Sequence, residues 1–592
     1  MPSPTAAQGV SPRYKWTALS NTTLGMFMAS LDASIVLISL PAIFRGIDLD
    51  PLTPSNISYL LWMLMGYLVV TAVLVVTFGR LGDMFGRVKM YNAGFAVFTL
   101  ASIALSLTPG HGGGAAMWLI VFRVVQGIGG ALLMANSTAI LTDAFGPEER
   151  GRAMGINMVA GIAGSFVGLI VGGILADIDW RLVFWVNVPF GVFGTIWAYM
   201  KLVELGTKKK ARIDWWGNLT FAAGLIMVLV GITYGLQPYG GHAMGWTNPW
   251  VLFELIGGVA LLVAFVLIEH RVKDPMFHVE LFKIRAFAAG NIAGLLASIG
   301  RGGLQFMLII WLQGIWLPLH GYSFERTPLW AGIYMVPLTV GFLVAGPVSG
   351  WLSDRYGARP FATGGMLLAA LSFLLLMFLP ANFSFIAFAS LLLMNGIGMG
   401  LFAAPNTTGI MNSVPARQRG AASGMRATFQ NTGMVLSIGI FFTLMIVGLS
   451  SSLPTSMRSG LEQNGVPPAT AQQIADEPPV GSLFAAFLGY NPMEKLVGQD
   501  TLSQLPPEQA ETITGKEFFP ELISQPFTDG VRIAFSASFL MCLIAAGASW
   551  MRGGQYIAPE DDGDDTGPFG APRDDSPNVA DEAPMAEEWA PA

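Results

Sequence analysis

Gly79-Arg-Leu-Gly-Asp83-Met-Phe-Gly86-Arg87 returns later in the chain as Gly350-Trp-Leu-Ser-Asp354-Arg355-Tyr-Gly357-Ala-Arg359, at an offset of 271 residues. Gly127-Ile-Gly129 returns as Gly396-Ile-Gly398, and Arg150-Gly151-x-Ala153-x-Gly155 as Arg419-Gly420-x-Ala422-x-Gly424, both offset by 269. Three concordant offsets point to an internal duplication rather than chance. Around these loops the sequence is apolar in blocks of about 20 residues, the length a helix needs to cross a bilayer core roughly 30 Å thick. The composition agrees, with 53% of the 592 residues hydrophobic and 12% charged, whereas soluble proteins are about 25% charged.

Apolar windows predict fourteen spans. Blocks so long, and so rich in Leu, Met, Phe and Gly, suit helices rather than barrel strands, because a bilayer offers backbone groups no outside partner. The expected fold is an all-α membrane protein. The first block is too long for a cleaved leader and carries Asp32. The repeated loop follows span 2 in one copy and span 10 in the other, so the repeat period is eight helices, a 6+2+6 plan. The expected division is a cytoplasmic N-terminus (1–16), a six-helix half (17–200), two extra helices with linkers (201–287) and a second six-helix half (288–551). An extracellular loop (449–529) separates spans 13 and 14, and a disordered acidic cytoplasmic tail (552–592) follows.

Positive residues stay on the cytoplasmic side. Twenty-two Lys and Arg, among them Arg80, Arg87, Lys89, Lys208 and Arg359, fall in loops and termini of one side, against Arg45 and Arg326 in the short loops of the other. This predicts a multi-pass plasma-membrane protein with both termini cytoplasmic. The tail around Asp561 and Asp564 accounts for the net charge of −6, and no basic nucleic-acid footprint remains. A single cysteine, five histidines and no clustered ligands argue against a disulfide or a metal centre. No Walker sequence or nucleophile elbow occurs, which argues against direct ATP use and against an enzyme. No cofactor is expected.

Two parallel halves with a substrate path between them describe a secondary transporter, and several motifs carry a closer likeness. The Gly79–Lys89 loop is similar to the G-x-x-x-D-R-x-G-R-R/K signature of the major facilitator superfamily, with Met84 and Val88 at two cation positions. Leu31-Asp32-Ala-Ser-Ile-Val-x-x-x-x-Pro41, Arg123-Val-Val-Gln126-Gly127 and Trp180-Arg181-x-x-Phe184-x-x-Asn187-x-Pro189-x-Gly191 resemble first-, fourth- and sixth-span motifs of its fourteen-span drug:proton antiporters. Gly155, Gly164, Gly168, Gly172 and Gly173 match the spacing of that family's antiporter motif, although Leu169 stands where its proline would kink the helix. Helix packing alone would also use such glycines.

The resemblance implies the major facilitator fold and a proton-carrying role for Asp32, and Arg123 is grouped with it as a candidate proton-coupling residue. Arg123, Arg301 and Arg426 are the other deep charges, able to pair with Asp32 if they face the central cavity. A mid-span carboxylate costs about 2.5–3.5 kcal/mol to insert; a structural hydrogen bond is the alternative reading. Arg301 occupies the Asp32-equivalent position of the second half, and Arg301 and Arg426 are candidate cavity charges. Gly79, Asp83, Gly86 and Arg87, with Asp354, Arg355 and Gly357, form a candidate cytoplasmic gate: the Asp either caps the next helix or binds a neighbouring Arg, and the Gly permits a tight turn. Asn136, Gln305, Asn406 and Gln430 are candidate cavity-lining residues, or interhelical glue. The implied activity is proton-coupled export of an amphiphilic small molecule, a drug or a lipid, by a monomer among membrane lipids. An exporter of an endogenous lipid, siderophore or secondary metabolite, and a non-transporting lipid-binding scaffold, are the alternatives.

Overall fold

The computed structural model describes residues 13–50, 53–205, 214–272, 275, 277–415, 418–489 and 491–553. The N-terminal segment before Arg13, the basic stretch Lys208–Lys210 and the acidic tail beyond Gly553 lie outside the described residues. Among the described residues fourteen helices are long and apolar enough to cross a membrane. They are α1 Tyr14–Gly46, α2 Asn56–Phe85, α3 Arg87–Ser106, α4 Gly112–Ala144, α5 Ala153–Ile178, α6 Leu182–Lys201, α7 Trp215–Gly235, α8 Pro249–Glu269, α9 Arg285–Leu319, α10 Thr327–Ser353, α11 Ala358–Leu376, α12 Phe385–Asn412, α13 Ala421–Gln463 and α14 Phe518–Trp550.

Helix α1 packs along α5, α2 along α4, and α3 against α4 and α6; α9 packs along α13, α10 along α12, and α11 against α12 and α14. Adding eight to each label of the first set gives the second, which is the duplication in three dimensions. The recurring Gly-Ile-Gly has a physical cause. A Cβ on Gly129 would lie 2.6 Å from the Phe98 amide, and one on Gly398 would lie 2.7 Å from the Ala369 amide. Gly127 likewise abuts the Tyr67 carbonyl and Gly396 the Leu338 carbonyl. Only glycine admits so close a backbone, and in lipid such packing replaces the hydrophobic drive between helices.

The halves meet where α2 touches α13 and α5 touches α10, again a pair exchanged by the pseudo-symmetry. Helices α7 and α8 pair with each other, and α7 alone of the two leans substantially on the bundle, against α2 and α13. Much of α8 faces outward, including Trp250, Phe253, Ile256 and Val263.

Two sequence expectations need amendment. Arg181, part of the sixth-span motif, stands just before α6 with its amide donating to Asp179 Oδ1 (2.9 Å), which adds it to Arg45 and Arg326 among the cations of the short loops on that side. The helix containing α13 runs unbroken from Arg419 to Gln463, past the 448 where the hydropathy ends. At 1.5 Å per residue its 45 residues extend about 68 Å, twice a hydrocarbon core. Short helices Pro468–Ala475, Pro479–Phe487, Met493–Val497 and Pro507–Thr514 then lead to α14. Leu483, Phe484, Phe487, Leu488 and Phe519 are buried among them, so this region is a folded cap.

Candidate functional site

Asp32, midway along α1, is completely buried. Its Oδ2 accepts from Arg123 Nη1 of α4 at 2.5 Å. Its Oδ1 accepts from Gln126 Nε2 at 2.9 Å and from Asn187 Nδ2 of α6 at 2.8 Å. Gln126 also donates to Ser102 Oγ of α3 (2.9 Å) and accepts from Arg123 Nη1 (2.6 Å). The Arg123 guanidinium lies over the Tyr67 ring of α2, 4.7 Å from its centroid. Five helices of one half thus converge on a single carboxylate, in a dry setting where an unpaired charge would be prohibitive. Of the three deep arginines, Arg123 is the one that pairs with Asp32, within its own half rather than across the cavity. Asn187, Gln126, Ser102 and Tyr67 complete the cluster; the first two stand in the quoted motifs, but nothing in the sequence connected them to Asp32.

The glycines of the antiporter motif fix α1 against α5. A Cβ on Gly168 would sit 2.5 Å from the Leu31 carbonyl, the residue before Asp32; Gly164 abuts the Phe27 carbonyl and Gly172 the Ile35 carbonyl (3.0 Å). Gly173 turns the other way and admits the backbone of Leu329 in α10, while a Cβ on Gly332 of α10 would lie 3.0 Å from the Leu169 carbonyl. Helices α5 and α10 are therefore in backbone contact near the face opposite the termini. Gly155, at the other end of α5, has open space beside it and packs against nothing.

Between the halves lies a cavity in two parts whose linings share Arg301, Phe342 and Met399. The part nearer the α5–α10 contact is lined by apolar groups including Ile162, Phe166, Leu169, Leu304 and Leu338, with Gln305 among them. The other part holds Asn291, Asn406, Arg426 and Gln430. Arg301 faces the Phe342 ring at 5.1 Å, and Arg426 Nη1 donates to Gln430 Oε1 at 3.0 Å. Gln305, Asn406, Gln430, Arg301 and Arg426 accordingly line the cavity.

Asn136 does not. It is wholly buried, donates to the Leu132 carbonyl at 2.9 Å, and fills the gap that Gly82 leaves between α2 and α4. It is interhelical glue: no residue of α4 lines either part of the cavity. Asp32 does not line the cavity either: it belongs to the core of its own half and is satisfied there.

In the loop between α2 and α3, Gly86 has φ 115° and ψ 126°, a conformation that favours glycine; Gly357 repeats it with φ 85°. Asp83 does not cap α3. It is taken by Arg87 (2.7 Å), which also reaches Asp143 Oδ1 of α4 at 2.5 Å. The α3 amides of Arg87 and Val88 instead donate to Glu204, after α6, at 2.8 and 3.1 Å. These bonds of Asp83, Arg87 and Glu204 stay within the first half and tie it together, while Arg80 Nη1 donates to the Pro275 carbonyl of the linker (3.4 Å). Gly79 faces Ala135 of α4. The Asp354 side chain lies outside the described residues, and Arg355 stacks near Tyr356.

A duplicated bundle of membrane helices around a cavity between its halves, with a charge cluster buried in one of them, defines a polytopic membrane transporter. The profile of the Major Facilitator Superfamily matches residues 22–438, and the chain belongs to that family. It is 27% identical over 544 residues to the tetracenomycin C resistance and export protein of Streptomyces glaucescens, covering 92% of each chain. It is 29% identical to the multidrug resistance protein Stp of Mycobacterium tuberculosis, over 74% of this chain and 78% of that one. Among solved structures, a bacterial homologue of the human lysosomal transporter Spinster superposes with a TM-score of 0.54 at 16% identity, covering 93% of this chain and all of that one. The protein is a multi-pass membrane transporter of small molecules, not an enzyme.

Proposed function

We propose that this transporter exports amphiphilic compounds, drugs among them, in exchange for protons, by rocking its two halves about the cavity, and that both termini are cytoplasmic. The observation that carries the reading is the separation of the Asp32 cluster from the cavity. The carboxylate is held by three donors inside one half, and its main chain is seated by Gly168 on the helix α5 that also forms the contact between halves. Protonation of Asp32 releases Arg123, and the loosened α1–α4 contact is transmitted through α5 to α10. Breaking a buried pair costs about 3–5 kcal/mol. One charge moving through 100 mV supplies about 2.3 kcal/mol, so a pH gradient together with the potential can drive the step. The positive-inside count supports the orientation, and the names of the relatives support export.

Reconstitution into proteoliposomes tests this. An inward-directed proton gradient accelerates export of a fluorescent amphiphile, and addition of that amphiphile dissipates the gradient. A protein that binds the compound but moves neither it nor protons is a scaffold and ends the proposal.

A further inference from the structure

The guanidiniums of the cavity stand without counter-charges. Arg301 and Arg426 both line it, and among the described residues no Asp or Glu does. Arg301 meets only an aromatic face, and Arg426 only an amide oxygen, leaving its Nε without a partner. Behind the lining, Arg552 donates to Asn406 Oδ1, while its Nε and Nη1 are buried and unpartnered. The opposite arrangement holds in the first half. There the position equivalent to Arg301 is Asp32, paired with Arg123, whose own equivalent is Leu392. The surrounding polar frame is kept: Asn395 donates to Ser372 Oγ at 2.6 Å, the counterpart of Gln126 on Ser102. The duplicated cluster has lost its acid and gained a cation that faces the cavity.

Buried unpaired cations are costly unless something pairs with them. Planar guanidinium forks match carboxylate and phosphate oxygens. We propose that the cavity takes amphiphiles with an anionic head, a carboxylate or a phosphate, bound by Arg301 and Arg426 with Arg552 acting through Asn406. The apolar body lies toward Phe166, Leu169 and Leu338. That this ligand is cargo rests on the transport reading above; that it binds does not.

The test uses the full-length purified protein and three probes: a dansyl-labelled fatty acid, its uncharged methyl ester, and tetraphenylphosphonium. The acid binds at least roughly tenfold more tightly than the ester, the scale of one charge-assisted hydrogen bond. Arg301→Gln and Arg426→Gln each remove most of that preference, weakening the acid far more than the ester, and Arg301→Lys keeps part of it. Competition by lysophosphatidate, compared with competition by free laurate, separates a phosphate head from a carboxylate one. Equal affinity for acid and ester in the unaltered protein overturns the proposal, and that comparison needs no variant to fold. So does displacement of the acid by tetraphenylphosphonium at similar concentration. Acid-selective binding without any proton-driven movement removes the transport reading and leaves this one. Proton-driven export of neutral or cationic compounds without acid preference does the reverse.

Discussion

Asn187, at the start of the main segment of α6, donates 2.8 Å to the carboxylate of Asp32 in α1, joining two residues 155 positions apart. Two motifs that read separately in the sequence are thereby halves of one site. The amide takes a lone pair that Arg123 does not reach, so the carboxylate is fixed from two sides by groups on different helices.

Asp32→Asn should abolish proton-driven transport while preserving substrate binding, since the amide keeps the shape but cannot cycle a proton. It also leaves Arg123 buried without a counter-charge, so the single variant should lose about 3–5 kcal/mol of stability. Adding Arg123→Gln should restore much of the melting temperature and none of the coupling. A single variant that retains full pH-gradient-driven exchange would make Asp32 structural.

Asn187→Ala should weaken the same site less, by about 1.5–3 kcal/mol, the range for a hydrogen bond to a charged group. Asn187→Ser, able to donate through a shorter arm or a water, should fall between. Thermal unfolding in detergent measures this. An unchanged melting temperature for Asn187→Ala would mean that the Asp32–Asn187 bond is not formed in solution.

Glu204→Gln should lower stability by about 1 kcal/mol, the usual value of a helix cap, without altering substrate preference. Asp83→Asn should instead slow the transport cycle, because it removes one of the two carboxylates that hold Arg87 between α2 and α4. Turnover measured beside substrate selectivity separates the two roles. A change in selectivity without loss of rate for Asp83→Asn would argue against a mechanical function.

The fold was legible because its signals are local and repeated: span length, positive charge by side, and glycines whose counterparts stand eight helices on. Asp32 and Arg123 were legible because charges within apolar blocks are conspicuous. Glu204 was not, since a Glu in a short loop looks like any solvated acid until the chain returns it to the start of α3. The two readings of Asn136 stayed open for a related reason: the helical period tells which residues share a face but not whether that face meets a cavity or the neighbour that Gly82 admits.

Gly168→Val should prevent α1 from seating on α5, because its Cβ would meet the Leu31 carbonyl at 2.5 Å with only backbone to give way. Gly155→Ala should be tolerated, having nothing within reach. Both belong to the same sequence motif, so a motif acting as a unit predicts equal damage, whereas close packing predicts loss of folded protein in the first and normal export in the second. Monodispersity in detergent and transport by the folded fraction decide between them.

The region 449–529 should be dispensable for insertion and required for normal transport. Its helix Pro479–Phe487 is seated on the bundle: Phe484 packs on Phe442 of α13 (5.0 Å) and Phe487 on Phe306 of α9 (5.1 Å). Gly314, within the π-helical turn Leu312–Trp316 of α9, admits the backbone of Ala486. Farther along, Lys495 pairs with Asp50 in the loop between α1 and α2, so the cap bridges both halves on the face opposite the termini. Burial of each Phe contributes about 1.5–3 kcal/mol, enough to favour the arrangement in which the halves meet there. Replacing 455–525 by a Gly/Ser linker should leave a correctly inserted protein whose cycle is altered, and Lys495→Glu should shift the same balance without exposing the apolar contacts. Unchanged export by both variants would reduce the cap to a surface addition, and labelling of Ser482→Cys only from the cytoplasmic side would invert the proposed orientation.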